Sequence, residues 1–339
     1  MDQPNPYLDP PPPARTDPVR APSLAASRPT SPGAFRLFRV LNTDVFLHWS
    51  WFIAAYFLIQ ARGDRYSSMA WNAVEYLAGF VLVLLHEFGH VLATRQVGGR
   101  ADKVVLWPLG GLAFATPPAR PWATLWSVAA GPLVNVALAP ILIGLAIGGA
   151  WMPEGALPPD LGRLFVAVAI FNIVMLVFNL LPIYPLDGGQ IFQALLWRMI
   201  GRARALMVAA WVGMAGALAL AGLALYGGEW WMALMMGYLF LGAYRGIAQA
   251  RILGRLASLE RRQGPPCPSC GANPPKGPFW LCLRCRTPVD RYEPATACID
   301  GHDHAVLAAC PDCRWLPVPE PAGTKPAQAP RDADPLADF

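Results

Sequence analysis

Six long apolar segments, at about 45–61, 73–94, 122–148, 161–183, 205–226 and 229–247, constrain this chain more than any other feature. A helix needs about 20 apolar residues to cross about 30 Å of hydrocarbon. The 339 residues are 55% hydrophobic and only 14% charged, against about 25% charged in ordinary soluble domains. That charge deficit is confined to residues 45–245. An all-α polytopic membrane protein with about six transmembrane helices is expected, and a soluble globular fold is excluded. A further apolar stretch, 104–115, contains Pro108, Gly110 and Gly111. It is too short and too irregular for a helical crossing, so a re-entrant or β-like segment is expected there.

Basic residues set the orientation. Arg95, Arg100, Lys103 and Arg120 lie between the second and third segments, Arg198, Arg202 and Arg204 between the fourth and fifth, and Arg245, Arg251, Arg255, Arg261 and Arg262 follow the sixth. The connections after the third and fifth carry Glu154, Asp160 and Glu229 instead. Positive-inside bias puts both termini in the cytoplasm. The net charge of +5 therefore speaks of membrane topology before nucleic-acid binding. The division expected is a proline-rich, disordered leader at 1–35, a membrane domain at 36–248, a basic linker at 249–264, a cysteine-rich region at 265–316 and a disordered tail at 317–339.

His86-Glu87-Phe88-Gly89-His90 ends the second segment. One helical turn separates the two histidines, so both imidazoles can reach one zinc ion, while Glu87 can take a proton from an attacking water and pass it to a leaving amine. Three ionisable side chains in an apolar span cost several kcal/mol each unless metal-bound, paired or wet. Bundle-interior histidines hydrogen-bonded across helices are the bland alternative, and Glu87 is what makes that alternative expensive. A catalytic zinc needs a third protein ligand. Asp187, in Leu186-Asp187-Gly188-Gly189, lies at matching depth and is the best candidate, while Glu75 and Asp44 sit nearer the membrane edges. Gly188 and Gly189 suit a chain that leaves a helix sharply, and Pro182 and Pro185 interrupt the helix ladder.

These motifs, together with Gly131-Pro132-Leu133-Val134-Asn135 and the run Asn179-Leu180-Leu181-Pro182-Ile183-Tyr184-Pro185-Leu186-Asp187-Gly188-Gly189, resemble the site-2 protease family of intramembrane metalloproteases over about residues 36–248. The resemblance implies that His86, His90 and Asp187 bind one catalytic zinc, that Glu87 activates water, and that Asn135 and Asn179 line the cleft. It also implies hydrolysis of a peptide bond in or near a membrane-spanning segment of a protein or peptide substrate. The stretch Trp107-Pro108-Leu109-Gly110-Gly111 resembles the family segment that offers a strand edge to an unwound substrate. His48 resembles a first-span histidine of relatives, with a polar or gating role. Trp49 and Trp51 suit interfacial anchors. A non-catalytic membrane adaptor on the same scaffold is the rival reading.

All seven cysteines fall within 267–313. Cys267, Cys270, Cys282 and Cys285 have the spacing of a zinc ribbon holding one structural zinc, with Phe279, Trp280 and Leu281 as its apolar layer. Cys298, Cys310 and Cys313 repeat that pattern incompletely, and His302 or His304 could complete a second structural zinc. A small cytoplasmic zinc-ribbon domain is expected. Its mixed charges favour docking of a cytoplasmic protein partner over nucleic acid.

Overall fold

A computed structural model describes residues 33–61, 65–107, 110–153, 158–263, 266–267, 270–281, 288–290 and 310. Its elements, in chain order, are β1 (Ala34–Val40), β2 (Thr43–His48), α1 (Ser50–Ala61), α2 (Met69–Gln96), β3 (Arg100–Trp107), β4 (Gly110–Thr116), α3 (Pro121–Trp151), α4 (Pro159–Leu180), α5 (Asp187–Ile200), α6 (Arg202–Tyr226), α7 (Trp230–Ala257), β5 (Trp280–Leu281) and β6 (Pro288–Val289). The expected leader and tail lie outside the described residues, apart from Gly33 to Phe35.

Four described helices, Met69–Gln96, Pro121–Gly149, Pro159–Leu180 and Arg202–Tyr226, are long and apolar enough to cross a membrane. The first and sixth of the expected crossings are not among them. The first segment begins as strand β2 and continues as a helix of only 12 residues, about 18 Å long and short of a bilayer core. The sixth is 28 residues long, but its Trp230, Trp231, Tyr238, Tyr244 and Arg245 dilute its apolar character. Glu229 N donates to Ala224 O at 2.8 Å in the turn between α6 and α7, and Gly228 has φ +78° there, so a tight hairpin joins these two packed helices.

The β-like segment is larger than the sequence suggested. Strands β3 and β4 form the antiparallel hairpin, and β2 joins β3 in parallel, giving one sheet in the order β1-β2-β3-β4. Its inner face packs on α2. Val45, Leu47, Trp51, Val83, Val91, Val104 and Leu106 form one buried cluster. Trp51 belongs to this core, edge-on to Tyr76 and Phe80, and is no interfacial anchor; Trp49 is the exposed one. Arg95, in the last turn of α2, locks helix to sheet by donating to Thr43 Oγ1 and Ala101 O, both at 2.7 Å, and to Asn42 O at 3.1 Å. Asp44 pairs with Arg36 at 2.9 Å and Glu75 accepts from Tyr66 at 2.5 Å, so both carboxylates serve the frame.

Helix α4 stops at Leu180, and Asp187 begins the separate helix α5, where the sequence suggested the end of one span. Between them the backbone folds back tightly, with a cis Tyr184–Pro185 bond and Leu186 N donating to Ile183 O at 2.8 Å. A Cβ on Gly188 would lie 2.3 Å from Leu180 O, and one on Gly189 2.3 Å from Tyr184 N. Only glycine allows that return.

Beyond α7, the chain pairs back onto itself. Arg262 N donates to Pro274 O and Lys276 N to Glu260 O, both at 2.9 Å, Arg261 bridges Pro275, and the carboxylate of buried Asp290 meets Arg262 at 2.5 Å and Gly277 N at 2.9 Å. Residues 260–262, within the expected linker, thus bond to residues 274–276 and to Asp290. Strands β5 and β6 make a short antiparallel hairpin. Phe279 is exposed at 36%, so it does not supply the buried layer expected of it.

Candidate metal centre

Helix α2 presents His86 and His90 from one face, and the start of α5 brings Asp187 to them. His86 Nε2 is 3.2 Å from His90 Nε2 and 3.1 Å from Asp187 Oδ2, and His90 Nε2 is 3.4 Å from the same oxygen. Ligands about 2.0–2.1 Å from a tetrahedral zinc are separated by about 3.3 Å. The three atoms therefore have the spacing of three corners of one zinc tetrahedron.

The far sides of the rings decide which nitrogens face this point. His90 Nδ1 lies 2.9 Å from Ser127 O, a carbonyl that can only accept, so the hydrogen is on Nδ1. His86 Nδ1 lies 2.6 Å from Asn135 Oδ1, and Asn135 turns that oxygen toward it because its Nδ2 donates to Asn172 Oδ1 at 2.8 Å. Asn172 Nδ2 returns a hydrogen bond to Asn135 O at 3.0 Å. Both Nε2 lone pairs are left facing the Asp187 carboxylate, whose Oδ2 receives no hydrogen bond among the described residues. Three electron-rich atoms in near contact repel unless a cation sits between them, so the residues present fit a divalent metal.

A cavity of about 200 Å³ opens over this cluster, lined by Glu87, His90, Thr94, Ala115, Ser127 and Asp187 among others. Glu87 is buried and shares that space with two of the ligands. Ala115 belongs to β4, the last strand of the sheet, which places a strand beside the cavity. A larger space of about 350 Å³ lies among Trp51, Tyr76, Phe80 and Phe171, and none of the three ligands lines it.

The other expected site residues are placed as follows. Asn135 is fully buried and contacts His86, where the cleft wall was expected. Asn179 sits half-buried near the end of α4 and does not line the cavity over the cluster. Gly110 and Gly111 pair with Trp107 and Leu106 at the β3–β4 turn. His48 donates to or accepts from Ser50 Oγ at 2.6 Å and stacks on Trp107 at 3.9 Å between centroids, apart from the cluster. Asn172 and the Ser127 carbonyl were not anticipated. An asparagine in the middle of an apolar span was a usable signal for Asn172, whereas nothing in a sequence announces a backbone carbonyl.

Comparison with known proteins bears on the same region. The model of peptidase family M50 matches residues 76–151 and 152–223. The core is M50-like. A zinc metalloprotease of Methanocaldococcus jannaschii is 29% identical over 55% of this chain and 52% of its own length. A Mycobacterium tuberculosis protein named as the zinc metalloprotease Rip3 is 35% identical over 48% of this chain and 42% of its own. The chain thus spans about half the length of these relatives. The solved site-2 protease from Methanocaldococcus jannaschii aligns with a TM-score of 0.47 and 26% identity, over 63% of this chain and 95% of that one. The M50-like match contains His86, Glu87, His90, Asn135, Asn172 and Asp187, and leaves out the sheet strands β1 and β2 and the cysteine-rich region.

Of the cysteines, Cys267, Cys270 and Cys310 are described and lie together, with one sulfur of each within 4.8 Å of the others. Cys282, Cys285, Cys298, His302, His304 and Cys313 lie outside the described residues, so the expected grouping of Cys282 and Cys285 with the first pair falls there too.

Proposed function

We propose that this protein is an intramembrane zinc-dependent endopeptidase of the site-2 protease type, cutting a peptide bond in or near a membrane-spanning segment of a protein substrate. One observation carries the reading: His86 and His90, on a helix long and apolar enough to cross a membrane, converge with Asp187 at the spacing of zinc ligands, beside buried Glu87. His86, His90 and Asp187 hold the zinc, which when bound polarises the scissile carbonyl as a Lewis acid. Glu87 takes the proton of the attacking water and returns it to the departing amine, so the carboxylate ends as it began. Asn135 and the Ser127 carbonyl keep both rings in the tautomer that turns Nε2 inward. The open edge of β4 pairs with an extended stretch of substrate, exposing amides that a helix would hide. Both termini lie on the cytoplasmic side, and the cysteine-rich region docks a protein partner.

The test is Glu87→Gln, assayed with a membrane-spanning reporter at matched protein level. Zinc content stays at that of the wild type and cleavage falls by about 10³-fold or more, the scale on which general acid–base and electrostatic contributions act together. Retention of wild-type turnover by E87Q would remove Glu87 from the chemistry, and absence of cleavage by the zinc-loaded wild-type protein would favour the non-catalytic adaptor.

A further inference from the structure

The cavity of about 350 Å³ among α1, α2 and α4 has a polar end and an apolar body. Its volume falls in the range of small-molecule sites, about 300–1,000 Å³. Two buried polar side chains line it, Asn72 at 4% exposure and Trp51 at 7%. Neither Nδ2 nor Oδ1 of Asn72, nor Nε1 of Trp51, has a hydrogen-bond partner among the described residues. A buried amide or indole N–H without a partner is costly and correspondingly rare. Asn72 stands 14 residues before His86 on α2, about 21 Å along the helix axis, so these groups serve neither the metal nor Glu87.

The ionisable groups at the same end are already engaged. Arg65 pairs with Glu75 at 3.7 Å, Glu75 accepts from the Tyr66 hydroxyl at 2.5 Å, and the Tyr76 hydroxyl donates to Trp51 O at 2.8 Å. An occupant with a net charge would meet only charges that already have partners, and its desolvation would go uncompensated. The amide and the indole offer donors and one acceptor together, which suits a hydroxyl, a group that accepts and donates at once. The apolar body is walled by Phe80 and Val83 of α2 and by Phe171 and Val174 of α4. Phe171 and Val174 are also exposed, on a helix apolar enough to cross a membrane, so the cavity runs into the surface that lipid covers. Water would satisfy Asn72 only by wetting these side chains, whereas a hydrocarbon chain covers them.

We propose that this cavity binds a neutral single-chain amphiphile with a hydroxyl-bearing head, of the monoacylglycerol class, drawn from the bilayer. The head sits between Asn72 and Trp51, and the chain passes Phe171 to leave the protein beside Val174. Gly79, which also lines the cavity, makes room for it. A Cβ at Gly79 would lie 3.6 Å from Phe171 Cε1, an ordinary contact, so a side chain is tolerated there and a long one enters the cavity. The site stands independently of the protease reading, since it shares no residue with the metal centre.

The full chain, purified in detergent, is titrated with monoolein, and the complex is counted by native mass spectrometry. The wild type binds one monoolein per chain. Asn72→Leu removes the polar anchor and Gly79→Leu fills the cavity, and each weakens binding about 10-fold or more with an unchanged size-exclusion profile. Oleoyl lysophosphatidic acid, the same molecule with a phosphate on its head, binds about 10-fold more weakly than monoolein to the wild type. Wild-type affinity in either variant, or equal affinity for the phosphorylated lipid, overturns the proposal. A second measurement needs no variant. A diazirine-bearing monoacylglycerol, photolysed on the wild-type protein, labels the peptides holding Asn72 to Val83 and Ala167 to Val174, and excess monoolein suppresses that label. Label confined to other helices, or insensitive to monoolein, overturns the proposal as well.

Discussion

Replacing Gly131 by alanine should disable the metal centre through one methyl group. Gly131 lies on α3 directly over the two histidines, and a Cβ there would fall 2.3 Å from His90 Nε2, 2.4 Å from His90 Cε1 and 2.8 Å from His86 Nε2. Comfortable carbon contacts begin at about 3.5 Å, so relief needs a shift of about 1 Å at the nitrogens that would bind zinc. His90 cannot swing away without losing its hydrogen bond to Ser127 O, which lies one turn from Gly131 on the same helix. Nor can α3 back off freely, since a Cβ at Gly89 of α2 would be 2.6 Å from Ala130 O, a measure of how closely the helices approach. A misplacement of about 1 Å costs about 10²-fold in rate. Zinc per chain, measured by plasma mass spectrometry on the detergent-purified protein, should fall together with reporter cleavage. Gly144→Ala is the matched control, because it lies on α3 with nothing within 4 Å of its Cβ, and both readouts should stay at wild-type values. A G131A protein with full zinc and wild-type turnover would refute the ligand geometry itself.

Asn172→Ala removes the amide that orients Asn135 against His86, and should weaken zinc binding by about 10-fold, read by competition with a chelator while the fold persists. Arg95→Ala frees the sheet from the end of α2 and should cost about 2 kcal/mol from lost charge-assisted hydrogen bonds, seen as a lower midpoint in a thermal assay monitored by size exclusion; an unchanged midpoint would show that the sheet docks by its apolar face alone. Arg262→Ala takes the guanidinium from the buried Asp290 carboxylate and should speed proteolysis of the cysteine-rich region selectively, with the membrane core cut at the wild-type rate.

Composition and one short motif made much of this protein legible. Apolar stretches long enough to cross a bilayer core leave a chain few places to go, so four of the expected crossings stand as helices within a few residues of their expected bounds. The His86–His90 pair is a local fact of helix period, and Gly188–Gly189 announced a tight return of the backbone that is present. The first apolar segment was misread because a buried strand and a buried helix look alike in hydrophobicity; only pairing of β2 with β3, more than fifty residues on, decides between them. Asp187 was legible as a residue, yet the break that detaches it from α4 and starts α5 depends on contacts between backbone atoms.

The sequence alone determined that the chain lives among apolar surroundings and carries the side chains for a zinc centre, because residue type and short-range spacing set solubility and helix face. Tertiary structure alone decided the rest: that Asn172 acts on His86 through Asn135, that Trp51 is core, and that Cys310 meets Cys267 and Cys270. Each depends on distances of a few ångströms between residues tens of positions apart. No local pattern carries that information, since chain separation says little about which segments share a volume once the helices pack.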